Sequence, residues 1–200
     1  MKIEARVLEN RFVRLEPLTP VWEGPMRAAL DCDRASWDIM VGAAYGEHFD
    51  GWWASALSAI AAGTRVAWAV HTKTDGALVG TTSLHEIQTR HRRCEVGSTF
   101  YRPEARGTAV NPACKRLLLG HAFEAGAVRV EILTDAVNAG SQAAIRKLGA
   151  RDESVLRRHK ITWTGRVRDT ALFAILDEDW PRVRAGLDRR LACADGLKNA

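Results

Sequence analysis

The stretch EVGSTFYRPEARGTAVNPACKRLLLGHAFEAG, from Glu95 to Gly126, constrains the fold more than any other part of this chain of 200 residues. Val96 to Tyr101 has the length and the valine, threonine and aromatic content of a β-strand. Arg102-Pro103 stops it, because proline locks its own φ and pushes the preceding residue out of the helical region. A loop of small residues follows, with Arg106, Gly107, Thr108, Ala109 and Val110, and then Asn111-Pro112. Asparagine caps helix starts well and proline suits the first helical position, so a helix capped by Asn111 is predicted. Cys114, Leu117, Leu118, His121, Ala122 and Ala125 recur at helical spacing, and Gly126 stands where a terminating glycine is expected.

A helix start leaves backbone N–H groups unpaired and carries partial positive charge. Small residues let an anion approach that backbone, and Arg102, Arg106, Lys115 and Arg116 surround it with full charges. A phosphate or pyrophosphate suits such a loop. An ordinary strand-to-helix turn uses the same residue types, and the spacing alone leaves both readings open.

The length suits one sizeable domain with a real core, or two small ones. The net charge of +5, from 29 Lys+Arg against 24 Asp+Glu, is mildly basic, and no Lys/Arg block of the kind found in nucleic-acid-binding tails is present. The four cysteines are scattered with no CxxC pair, which points to free thiols and neither a disulfide frame nor a zinc site. The N-terminus is charged throughout, and no apolar run approaches membrane length. The expectation is a cytoplasmic protein without membrane attachment, metal or direct nucleic-acid partner.

Phe12 to Leu15 reads as a first strand. Thr19-Pro20 opens a helix that Gly24-Pro25 delays or bends, and Ser36 to Phe49 has no clear period. Aromatics, glycines and acids mix there, as in a loop that lines a site or one that is merely pinned by Trp37. Asp50 to Ala62 reads as an amphipathic helix capped by Asp50. From Arg65 the period becomes two: RVAWAVH, a turn at Thr72 to Gly76, then a long strand from Ala77 to Ile87 with Gly80 as a possible bulge. After the central helix comes a strand, Val128 to Thr134, and a second helix that Asn138 can cap and Gly149 ends. A strand from Arg151 to Val155, a hairpin turning at Thr164-Gly165 and a helix from Glu178 to Leu191 complete the pattern. No repeat or linker interrupts it, so one domain over residues 1–192 with a frayed tail over 193–200 is the economical reading.

Four words in this order resemble the GNAT acetyltransferase superfamily and, within it, the ribosomal-protein alanine N-acetyltransferase type. They are FVRLEPL, the central EVGSTFYRPEARGTAVNPACKRLLLGHAFE, RVEILTDAVNAGSQAAIRKLGA and GRVRDTALFAIL with EDWP after it. The resemblance covers residues 11 to 191. It implies an α/β (α+β) fold: a central mixed, largely antiparallel twisted sheet of about seven strands, flanked by helices and splayed beside the central strand to admit acetyl-CoA. Arg106 to Asn111 matches the family's phosphate loop, with Ala109 and Asn111 where glycine is frequent. The backbone of Gly107 to Asn111, with Arg102, Arg106 and Lys115 nearby, is then the pyrophosphate cradle.

The resemblance also implies that Asn138 bonds the pantetheine arm, and that Ser141 lies near the sulfur as a general acid. By spacing alone Asn138 is equally an N-cap, with Ser141 in the first turn. No tyrosine, the acid of many family members, follows Tyr101. Glu95 is the leading candidate base, ahead of His85 and Glu86, although it could instead pair with an arginine such as Arg93. Backbone N–H groups around Ser98, Thr99 and Phe100 would polarise the thioester carbonyl. Trp37 and Tyr45 in the aperiodic loop, with His85 and Asp169, are the candidate acceptor contacts; Asp169 could otherwise orient the hairpin. The implied reaction acetylates a primary amine, on a protein N-terminus or a small molecule, by a monomer or homodimer. A non-catalytic CoA-binding protein and a nucleic-acid or ribosome-binding module are the alternative classes.

Overall fold

Large and small residues alternate along β3 (Arg65–Thr72), and this sets up a sheet covered on both faces. Val66, Trp68 and Val70 join one buried cluster while Ala67 and Ala69 join another, as the two-residue period of a strand requires. The computed structural model describes residues 1–196. The remaining strands are β1 (Leu8–Glu9), β2 (Val13–Pro17), β4 (Leu78–Gln88), β5 (Arg93–Tyr101), β6 (Arg129–Asp135), β7 (Arg151–Ile161) and β8 (Val167–Leu176). The helices are α1 (Glu23–Leu30), α2 (Phe49–Ala61), α3 (Val110–Glu124), α4 (Ala139–Leu148) and α5 (Trp180–Gly196). The eight-stranded sheet has the order β1-β2-β3-β4-β5-β6-β8-β7. Among the described residues only the β5–β6 pair is parallel.

Helices α1 and α2 cover one face, where Met26, Leu30, Phe49 and Trp53 pack with Ala67 and Ala69. The other face is covered by α3, α4 and α5 through residues such as Leu118, Leu119, Ile145, Val183 and Leu187. His121 is buried there, with Nε2 2.8 Å from the Glu4 carbonyl, as a core histidine. Among the described residues no helix is long and apolar enough to cross a membrane.

Several boundaries differ from those read in the sequence. The sheet has eight strands and not about seven, because the two-residue β1 carries too little pattern to be read. Arg151 to Ile161 is one strand, interrupted by a register shift between Leu156 and Lys160 with Arg158 at φ 51°. Bulges of this kind break the alternation that a reader relies on. Asp50 sits inside the first turn of α2 and pairs with Arg27, so it is not the cap. Asn111 does not cap α3 either. That helix begins at Val110, and Asn111-Pro112 occupies its first turn, where a missing proline N–H costs nothing at any of the first positions. Helix α5 continues through Gly196, past the end read at Leu191 and into the tail read as frayed, whose residues 197–200 lie outside those described.

The bulge expected at Gly80 is present, with Val70 facing Gly80 and His71 facing Leu78. Gly80 has φ 151°, and a Cβ there would lie 2.0 Å from the Phe100 carbonyl oxygen. Since that neighbour is backbone, Gly80→Ala must shift β5 itself. A loss of about 2–4 kcal/mol is expected from strain and overpacking, read as a lower denaturant midpoint with unchanged m-value.

Candidate active site

β5 and β6 pair over only three positions, Arg93–Arg129, Cys94–Val130 and Glu95–Glu131. Beyond them β5 stays on β4 through Tyr101, and β6 stays on β8 through Asp135. The sheet therefore opens into a notch, and the β6-facing backbone of β5 from Val96 on has no strand partner. A cleft of about 850 Å³ occupies the notch, lined from both halves of the sheet, the starts of α3 and α4, and the loop around Trp37.

A bulge shapes the β5 wall. Thr81 faces Phe100 and Ser83 faces Gly97, so Ser98 and Thr99 share one partner residue, and Ser98 has φ 46°. A non-glycine residue there is strained, and such strain concentrates at ligand sites. The bulge is fastened by a 2.7 Å hydrogen bond between the Thr82 and Thr99 hydroxyls and by Lys115 Nζ, which donates to Thr99 Oγ1 at 3.1 Å. Lys115 is buried, and desolvation pushes its pKa down to about 8 against a weaker opposing pull from Cys114.

Glu95 is only 7% exposed and faces the cleft. Arg93 bonds Glu131 at 2.9 Å, which leaves Glu95 beside His85, whose Nε2 lies 3.4 Å from Oε1 and makes no hydrogen bond. Gly97 permits this approach, since a Cβ on it would fall 2.4 Å from His85 Nε2 and 2.9 Å from Glu95 Oε1. Across the notch, Asn138 caps α4 by accepting the Ser141 N–H at 2.9 Å. Both residues line the cleft, and the Ser141 hydroxyl makes no hydrogen bond with the described residues.

At the other end of β5, Arg106, Gly107, Asn111 and Pro112 line the cleft where α3 begins. Gly107 has φ 73°, and a Cβ on it would meet nothing within 4 Å, so backbone conformation and not crowding calls for glycine. The flanking arginines are already engaged. Arg102 bonds Glu104 at 2.5 Å and does not line the cleft. Arg116 bonds Asp188 at 2.7 Å. Arg106 donates to the Tyr101 carbonyl at 2.7 Å, pairs with Asp33, and lies over the Phe100 ring. Thr108 spends its hydroxyl within the loop, on the Ala105 carbonyl and the Val110 N–H. Trp37 is stacked on Phe100 at 4.5 Å and closes one wall.

Two candidate acceptor contacts lie elsewhere. Tyr45 packs edge-on against His48 and Trp163 and does not line the cleft. Asp169 is exposed and accepts the Arg158 N–H at 2.6 Å, so it orients the hairpin. Conversely, Arg65, Trp52, Ser55, Lys160, Arg168 and Asp135 line the cleft without having been singled out in the sequence. Strand-end and strand-interior polar residues carry no signal of which cavity they face.

The family model of the acetyltransferase (GNAT) domain matches residues 13–151. The chain belongs to the GNAT acetyltransferase family. Its fold matches a GCN5-related N-acetyltransferase from Brucella melitensis at 26% identity and TM-score 0.87, over 96% of this chain and 87% of that one. A probable GNAT-family acetyltransferase from Chromobacterium violaceum matches at 27% identity and TM-score 0.81, over 90% and 91%. Mycobacterium smegmatis RimJ, solved with CoA-disulfide, shares the fold at 20% identity and TM-score 0.75, over 92% and 93%. No curated protein matches the sequence.

The cleft fits the acetyl-CoA that GNAT enzymes use. An open strand edge suits a ligand carrying amides, and a glycine-bearing helix start suits its phosphates.

Gly97→Ala is expected to displace His85 from Glu95 and to slow acetyl transfer about 100-fold, with little change in melting temperature because only side-chain ends must move. Lys115 gives a pH test. Its folded pKa lies below its ordinary 10.5, so the folded state disfavours the charged form, and that cost is fully present below pH 8. Stability from this group rises between pH 8 and 10.5 as the unfolded chain loses its extra proton. Lys115→Met should therefore differ most from the parent below pH 8, with the gap closing toward pH 10.5 in denaturant titrations.

Proposed function

We propose that the protein is an acetyl-CoA-dependent N-acetyltransferase acting on a primary amine of a protein N-terminus or a small molecule. The observation that carries this reading is the buried Glu95, which faces the cleft where β5 and β6 part. Acetyl-CoA supplies an acyl group already activated as a thioester. Ammonium is not a nucleophile, and Glu95 is the base that takes the amine proton, directly or through a water. Its neighbour His85, with Nε2 3.4 Å from Oε1, offers a route for that proton toward solvent. The N–H groups of the strained Ser98 to Phe100 segment polarise the carbonyl under attack. Ser141 Oγ, uncommitted to any protein group, gives a proton on the α4 side as the thiol leaves. Asn138, with its oxygen fixed by the cap, keeps its amide for the pantetheine arm.

The ribosomal-protein type of acceptor rests on the four sequence words, since RimJ at 20% identity speaks for the fold alone. The cleft has an aromatic wall from Trp52 near Arg65, which favours a peptide-like or apolar group over a polycation.

Two variants test the reading. Gly107→Trp should abolish acetyl-CoA binding in a calorimetric titration that shows micromolar affinity for the parent. Glu95→Gln should keep that affinity and lower kcat by about 100- to 10,000-fold at neutral pH. Undiminished turnover in Glu95→Gln would move the base elsewhere, and a parent that binds no acetyl-CoA would sink the proposal.

A further inference from the structure

Arg65 stands at the head of a row that crosses the sheet, facing His85 on β4, which in turn faces Glu95 on β5. Its guanidinium lines the cleft, donates Nε to Ser83 Oγ at 2.9 Å and lies near the Trp52 ring at 5.9 Å. No carboxylate among the described residues pairs with it, and one terminal nitrogen, Nη2, is buried without any hydrogen bond. Burial alone lowers its pKa to about 10. A buried, uncompensated cation is costly, and its usual remedy is a paired anion. The arginines flanking the phosphate-loop segment, Arg102, Arg106 and Arg116, each have their own carboxylate.

The position of Arg65 separates this unmet charge from the CoA phosphates. Glu95 to Tyr101 spans about 20 Å of strand, and the phosphate loop lies beyond Tyr101 while Arg65 lies level with Glu95. The anion that Arg65 lacks therefore belongs to the other substrate. Arg65 and Glu95 are two strands apart, about 10 Å between backbones, with both side chains on the same face. An amine at Glu95 thus has its anionic group several bonds away.

We propose that the acceptor is an amine carrying a carboxylate several bonds from its nitrogen, and that Arg65 binds that carboxylate. The proposal rests on the transferase reading for the place of the amine. Arg65 is a specificity-determining residue and takes no part in the proton transfers at Glu95 or Ser141.

Matched pairs test it by calorimetry, with and without CoA: 4-aminobutyrate against butylamine, and the dipeptide amide Ala-Glu against Ala-Gln. The carboxylated member of each pair should bind about tenfold or more tightly, the worth of a charge-assisted hydrogen bond. Arg65→Gln should erase that preference, Arg65→Lys should restore part of it, and acetyl-CoA affinity should not change in either. Arg65→Gln should also melt no lower than the parent, because it removes a desolvated charge. Equal binding within the pairs, no binding of any member, or a preference that survives Arg65→Gln would each overturn the proposal. A separate acetyl-CoA titration keeps the two readings apart. Carboxylate selectivity without acetyl-CoA binding would sink the transferase and leave the Arg65 site, whereas acetylation of all amines alike would do the reverse.

Discussion

The parting of β5 from β6 after three residue pairs is the constraint on which the rest of the site depends. Each strand is paired along its far edge, β5 to β4 and β6 to β8, so the sheet loses only the hydrogen bonds of one shared edge by opening. Those unpaired backbone groups line a cleft instead of facing a strand, and buried backbone polar groups demand partners. A ligand rich in amides meets that demand. The helices that follow the two strands, α3 after β5 and α4 after β6, begin at the same notch and bring their N–H groups to it. One topological event therefore creates the backbone wall, the glycine-bearing start of α3 and the capped loop carrying Ser141.

Charge is distributed along the cleft in two different ways. At the phosphate end Arg102, Arg106 and Arg116 are each tied to a carboxylate of the chain, on Glu104, Asp33 and Asp188. The Arg106–Asp33 pair also fastens the loop before Trp37 to the start of α3, and the stacked Trp37 and Phe100 rings continue that junction. At the opposite end Glu95 is buried beside His85 and within electrostatic reach of Arg168, and Arg65 pairs with no carboxylate among the described residues. Arg168, on the β8 side, has its Nε 3.7 Å from Asp135 and makes no hydrogen bond through it. Paired charges tie the loops of the phosphate-loop end together, whereas Arg65 at the far end of the cleft pairs with no carboxylate among the described residues.

Features with local causes were legible in the sequence. The two-residue period of Val66, Trp68 and Val70, the Asn138 cap three residues before Ser141, and Gly149 with φ 101° after α4 follow from neighbouring residues alone. The Gly80 bulge was legible for the same reason. Misreadings occurred where two local rules competed, as at Asn111-Pro112, where cap and first-turn positions favour the same residues. They also occurred where a bulge broke the period, as at Arg158.

By itself the sequence determined the order of strands and helices, the glycine turns, the family words and the candidate loop from Arg106 to Asn111. Only the tertiary structure decided which charges remain unmatched. Arg93 goes to Glu131 and leaves Glu95 to His85, Tyr45 turns away to Trp163, and Arg65 arrives level with Glu95. Each of these outcomes depends on strand register, which joins residues tens of positions apart. Propensity and capping act over a few residues, so they carry no information about partners brought together by pairing across a sheet.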